Sequence, residues 1–393
     1  MKSEYITKPL SALADIQTGP FGSQLHKEDY VQIGTPIVTV EHLGKKKFTE
    51  QNLPCVSETD KERLRKYILR EGDIVFSRVG SVDRCSYVSD EYDGWMFSGR
   101  CLRVRPLIEI DSQYLYYYFT LESTKQFVRG IATGATMPSI NTKFMGEVPV
   151  TYPPIEEQRK IAAVLSTFDD KIELNNKLNE NLEQQARALY AHAFPYATSD
   201  TLPDGWRLGT VGEIIEIHDS KRVPLSGAQR AKMEKKIYPY YGAASLMDYV
   251  DNYLFDGKYL LLGEDGTVVD DTGFPILQYV WGQFWVNNHA HILTGKLGYN
   301  VESLYMLFKQ TPVKSIVTGA VQPKISQANL KSIPVVIPPM NLIEEFNKQV
   351  DEMFALIRNN EDENKRLVAL RDSLLPKLMS GEIEVSTFNY LSR

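Results

Sequence analysis

A chain that repeats itself at a fixed offset has to build the same unit twice, and this one repeats at an offset of 185 residues. Ile131-Ala132-Thr133-Gly134-Ala135-Thr136-Met137-Pro138-Ser139-Ile140 returns as Ile316-Val317-Thr318-Gly319-Ala320-Val321-Gln322-Pro323-Lys324-Ile325. Pro149-Val150 and Pro153-Pro154 return as Pro334-Val335 and Pro338-Pro339, giving ten identities in the 25 positions of 131–155 without a gap. Past each Pro-Pro pair the pattern turns helical, and proline is tolerated just before or within the first turn of a helix. At 3.5-residue spacing the first copy presents Ile161, Leu165, Phe168, Ile172, Asn175, Asn179, Leu182, Ala186 and Leu189. The second presents Phe346, Val350, Met353, Ile357, Asn360, Asn364, Leu367, Arg371 and Leu374 in the same frame. The spacing predicts two equivalent helices of roughly 35–40 residues, each about 55–60 Å long, whose apolar stripes form a coiled-coil seam. The first helix ends where the second half of the chain begins, so the two helices are expected to pair antiparallel. Asn175 should then face Asn364, and Asn179 should face Asn360. Polar residues in a seam weaken it but fix its register. An alternative rotates one asparagine of each pair to solvent, with Leu178 taking its place in the first helix.

Between the helical stretches, short Val/Ile/Tyr/Phe-rich runs such as Asp73–Ser77 and Tyr259–Leu262 alternate with helical stretches such as Tyr114–Phe127. This is α+β composition, without the regular βαβ alternation of a parallel sheet. The expected organisation is two tandem pseudo-repeated α+β domains separated by two long helices forming an antiparallel coiled coil. The segments are 1–150 (first domain), 151–197 (first helix), 198–335 (second domain), 336–385 (second helix) and 386–393 (tail). The N-terminus has no apolar signal-like core and no run near 20 apolar residues exists, which predicts a cytoplasmic protein. Cys55, Cys85 and Cys101 make no CxxC pair and read as reduced thiols. Signatures of catalysis are missing. Thr151-Tyr152-Pro153-Pro154-Ile155 lacks the Asn or Asp before the prolines and the aromatic after them that an amino-methyltransferase uses. There is no GxGxxG and no P-loop. Asp204 and Glu234-Lys235-Lys236 match a nuclease pattern only formally, because Glu234 falls in a polar helical run, Gln229–Lys236. His289-x-His291 lacks a third ligand in the sequence, so a structural role is favoured and no metal site is expected.

The motif Pro153-Pro154-Ile155-Glu156-Glu157-Gln158 leading into a long helix, the Leu202-Pro203-Asp204-Gly205-Trp206 entry to the second domain, and the duplication itself resemble the specificity (S) subunit of type I restriction-modification systems. The resemblance covers nearly the whole chain. It implies a non-catalytic subunit of a host-defence complex that reads a bipartite site in double-stranded DNA, one half-site per target recognition domain. It also implies two methyltransferase subunits held on the helices and restriction endonuclease subunits joined through the methyltransferase core. S-adenosylmethionine, ATP and Mg are then expected on the partner subunits and no cofactor in this chain. Met340-Asn341-Leu342-Ile343 departs from the Glu-Glu-Gln of the first copy, which leaves equal partner binding by the two helix starts in doubt.

The formal net charge of −6 is the wrong sign for gripping DNA unaided. Residues 1–150 carry 19 cations and 19 anions and residues 198–335 carry 13 and 14. The helical segments hold the acidic excess, with 5 and 7 in 151–197 and 7 and 10 in 336–393. Local basic clusters in Gly-containing loops are therefore the candidates for DNA contact. In the first domain these are Ser23, Gln24, Lys45, Lys46, Lys47, Arg78 and Arg84, and in the second Lys221, Arg222, Arg230, Lys232 and Lys236. Trp281, Gln283 and Trp285 alternate like a strand and read as half core. The alternative from another class is a non-catalytic tandem-domain scaffold that binds protein or glycan.

Overall fold

A computed structural model describes residues 5–319 and 321–385, so the 386–393 tail lies outside the described residues. The chain divides into two compact units, one of 1–173 with 364–393, the other of 174–363, and each long helix contributes part of its length to each unit. The helices span Ile155–Ala193 and Met340–Met379, 39 and 40 residues.

The first unit holds a four-stranded sheet in the order Ala14–Thr18, Cys101–Pro106, Ile74–Ser77, Cys85–Tyr87. The second holds its counterpart in the order Ile215–Ile217, Ala290–Gly295, Tyr259–Gly263, Leu277–Val280. Registers agree as well. Ile74 to Ser77 lies opposite Val104 to Cys101, as Leu260 to Gly263 lies opposite Leu293 to Ala290. Val104 and Leu293 are flanked on their other side by Ile16 and Ile217. By that register Arg78 and Glu264 hold the same place just past the central strand, and Phe21 and Arg222 the same place five residues after Ile16 and Ile217. Each unit adds a second four-stranded sheet with one parallel pair, Thr35–Val38 beside Met96–Phe97 and Tyr238–Tyr241 beside Gln283–Val286. A two-stranded ribbon at the helix entry completes each: Ile6–Pro9 with Pro149–Tyr152, and Arg207–Thr210 with Pro334–Ile337.

Within each unit the paired helix halves run antiparallel. In the first, Ile161, Ala162 and Leu165 share a core with Leu375, Leu378 and Met379, and Asp169 is ion-paired to Arg371. In the second, Asn175 donates to Glu363 at 2.7 Å, and Tyr190 lies edge-on to Phe346. Asn360 donates to Asn179 at 2.8 Å, the expected pairing. Every predicted seam residue is buried or half-buried, the lining set running through Phe168, Ile172, Leu182, Leu189, Val350, Met353, Ile357, Asn364, Leu367 and Leu374. Asn175 and Asn179 both stay inside while Leu178 is exposed, so the alternative with Leu178 in the seam does not hold.

Three local expectations are corrected. The helical stretch at 114–127 is two helices, Ser112–Thr120 and Glu122–Ile131, broken where Leu121 turns to ψ 132°. The polar run at 229–236 is helical only over Gly227–Ala231, and the N–H groups of Glu234, Lys235 and Lys236 then close on the Asp251 carboxylate. Trp281 lies outside its strand and donates to Asp362, while Phe284, Trp285 and Val286 are all buried, so the run does not alternate. The three cysteines are in no disulfide, and burial pushes the Cys85 and Cys101 thiols up to about 12.

Candidate nucleic-acid interface

In the first unit the chain leaves the central strand at Ser77, and Arg78 is the first side chain beyond it. Its guanidinium donates to the Gly99 carbonyl at 3.0 Å and sits 5.5 Å over the ring of Phe21, which is itself about half exposed. Ser23 is exposed beside it. Gln24 is half-buried, accepting from the Tyr67 hydroxyl at 2.6 Å. An open cleft of about 490 Å³ adjoins this cluster, lined by Phe21, Leu25, Tyr30, Glu41, Gly99 and Arg100 among others. A cation stacked on an aromatic at an open cleft can meet a phosphate or a base edge.

In the second unit Glu264 replaces Arg78, and a salt bridge at 2.5 Å to Arg222 replaces the stack on Phe21. Behind it His291 is fully buried, 2.6 Å from Asp219 through Nδ1 and 2.8 Å from the Ile325 carbonyl through Nε2. Asp219 also accepts from the Ile292 N–H and from Gln327. Burial alone would raise the Asp219 carboxyl, but the bond from His291, with the Ile292 N–H and Arg222, holds it below the usual carboxylate range. Asp219, Glu264 and His291 have the spacing of a metal-ligand set. Each is already engaged by a cation, a hydrogen-bond donor or the Ile325 carbonyl, Glu264 by Lys324 as well as Arg222, so the group stands as an ion-pair network.

The remaining candidates divide by what they touch. Lys45, Lys221 and Lys232 are exposed. Lys46 and Lys47, expected at a DNA surface, instead tie the first unit to its own helix. Lys46 reaches Asp169 and Asp170, and Lys47 reaches Glu91 and Glu173 at 2.6 Å each. The acidic helix face attracts them. Arg84 donates to the Leu43 carbonyl beneath Gly44. Arg230 covers the Tyr240 ring at 4.8 Å and pairs with Asp248, which also takes Lys236. Arg222, Arg230 and Lys236 thus have charges met inside the unit.

Gln158, from the Glu-Glu-Gln segment, is fully buried: it accepts from the Asp111 N–H at 2.8 Å and donates to the Pro153 carbonyl at 2.9 Å. Its counterpart Ile343 is buried in an apolar core, so the departure of the second copy exchanges one way of packing the helix start for another. Nothing in the residue pattern marks Arg100, Glu41 and Tyr30 as cleft residues, since they come from three separate stretches of the chain.

Residues 2–184 and 203–370 match the model of the type I restriction modification DNA specificity domain. The chain belongs to that family. Among its specificity-domain relatives, the type I restriction enzyme MjaIX specificity subunit of Methanocaldococcus jannaschii is 28% identical over 304 residues, covering 70% of this chain and 69% of the relative. The putative MjaX specificity subunit of the same organism is 24% identical over 391 residues, covering 92% and 90%. The fold is that of the type I restriction-modification S subunit from M. genitalium, with a TM-score of 0.58 at 19% identity over 96% of each chain. Members of this family are specificity subunits and not enzymes. No described helix is long and apolar enough to cross a membrane.

Proposed function

We propose that this chain reads a bipartite target in double-stranded DNA, with each unit's recognition domain (1–150 and 198–335) taking one half-site. Family membership makes it a DNA specificity subunit that works with partner subunits, and it leaves the protein- or glycan-binding scaffold without support. The observation that carries the two-reader arrangement is that the sheet holding Ile74–Ser77 and the sheet holding Tyr259–Gly263 share strand order and register while the side chains just past those strands differ, Arg78 against Glu264. Two copies of a frame with different contact chemistry suit two different short sequences. In the same reading two methyltransferase subunits dock on the helical segments, and endonuclease subunits join through them. S-adenosylmethionine, ATP and Mg belong to those partners. The near-neutral segments 1–150 and 198–335 fit a division of labour in which partners supply much of the phosphate contact.

The test is exchange of residues 1–150 for the corresponding segment of another subunit, followed by mapping of the methylated motif. One half of the motif should change and the other stay. Change in both halves overturns the two-reader arrangement.

A further inference from the structure

The repeat is strongest in a place where the fold alone does not demand it. In each unit the Thr-Gly pair of this repeat, Thr133-Gly134 and Thr318-Gly319, is exposed and stands in a loop closed by a matched pair of main-chain bonds. Thr133 N–H donates to Ser139 O at 2.8 Å and Ser139 N–H to Thr133 O at 2.7 Å, and the same bonds join Thr318 and Lys324 at 2.9 and 2.8 Å. Gly134 and Gly319 take φ of +101° and +90°, and a Cβ there would stand 2.7 Å from the Met137 carbonyl oxygen or 2.3 Å from that of Gln322. Only glycine fits such a turn without strain. Both loops dock on the residues just past the central strand. Ile140 N–H donates to Arg78 O and Gly80 N–H to Pro138 O, matched by Ile325 to Glu264 and Gly266 to Pro323.

The tip differs between the copies, as do Ala132 and Val317 and the closing pair Ser139 and Lys324. Thr136-Met137 stands where Val321-Gln322 stands, Met137 is 57% exposed and Val321 99%. Neither ten-residue segment, 131–140 or 316–325, contains an Asp or Glu, in a chain with an acidic excess. A surface loop under no demand would lose its frame along with its side chains. Here the frame, the positive-φ glycine and the docking bonds persist while the outward chemistry changes, as a presenting device for variable contacts would.

We propose that the two tips, Thr136–Met137 and Val321–Gln322, are specificity-determining elements that meet base-pair edges in a groove of duplex DNA. The proposal rests on the two-reader function above. The Gln322 amide offers the donor and acceptor that match an adenine edge, and the methyl groups of Thr136, Met137 and Val321 suit contact with a thymine methyl. The tips lie on loops whose main chain is bonded to Arg78 and Glu264, so in the first unit the loop that carries the tip is anchored at the residue whose side chain stacks on Phe21.

The experiment uses the full chain assembled with its methyltransferase subunits. One variant, Thr136→Val with Met137→Gln, gives the first loop the second loop's tip, and another is Gln322→Ala. The first should alter or relax one or two adjacent positions in one half-site, the second a position in the other half, each with discrimination falling about tenfold or more there. Spacer length and subunit composition should stay as in the wild type. Three results overturn the proposal: an unchanged motif with unchanged affinity; affinity lowered equally on target and unrelated DNA, which makes the loop a phosphate contact; and loss of methyltransferase from the complex, which makes it a protein-docking loop. Should the double variant fail to fold, Met137→Ala and Gln322→Ala, which only shorten exposed side chains, decide the matter. If exchange of residues 1–150 changes a half-site and the tip variants do not, the tips are wrong and the two-reader function stands.

Discussion

At the same point in the same fold, just past the central strand, the two units solve one packing problem with opposite chemistry. The first leaves a cation, Arg78, resting on the exposed ring of Phe21 and held by a single carbonyl. The second pairs Glu264 with Arg222 and Lys324 and adds a buried Asp219–His291 bond behind them. In the second unit this end of the sheet is therefore neutralised from within, and in the first it keeps a positive group beside an open cleft. A shared frame fixes where contacts are made, while the charge network decides whether the side chain there serves the protein's own stability or a ligand.

The largest expected effect of that difference is on stability. Asp219→Ala removes the acceptor facing His291, Ile292 N–H, Gln327 and Arg222 and should cost about 3–5 kcal/mol in denaturant unfolding. Thr18→Ala, at the equivalent position, should stay within about 0.5 kcal/mol. Equal losses would erase the comparison. The pH dependence gives its sign a second check. A carboxyl held below its ordinary value binds fewer protons in the native state than in the unfolded one. Its stabilisation is complete above the ordinary carboxylate value of about 4 and is lost as pH falls through the folded value. The Asp219→Ala variant should lack that part of the acid-side loss of stability.

Next in size are Gly134→Ala and Gly319→Ala, which probe the feature the units share. Both force an L side chain into positive φ against a carbonyl oxygen and should cost about 1–3 kcal/mol by the same measurement. A cost in one copy alone would mean the loops are not equivalent. Arg78→Ala should cost less stability than the glycine variants, under about 1 kcal/mol, since a single carbonyl loses its donor. Its effect falls on DNA: binding to the target should weaken about tenfold or more and the salt dependence should flatten if a phosphate is the contact. Unchanged affinity would remove Arg78 from the interface.

The architecture could be read from residue patterns alone. The offset of 185, the Pro-Pro pairs, the glycines of the two loops and the 3.5-residue stripe placed two units and two helices, and the Asn179–Asn360 contact was legible from the stripe. These signals survive because they are local: helical periodicity, proline at a helix start and glycine at positive φ act within a few residues of chain. Which charges face outward depends on contacts between residues far apart in the chain. Lys46 and Lys47 looked like a basic loop until the fold brought Asp169 and Glu173 to them from more than 120 residues away. Arg222 looked equally available until Glu264 was placed beside it. Arg78 and Glu264, unlike in chemistry, share a position that no identity marks and that strand register alone reveals. An ion pair depends on where two distant side chains meet, and that meeting is fixed by sheet register and helix pairing rather than by any local pattern.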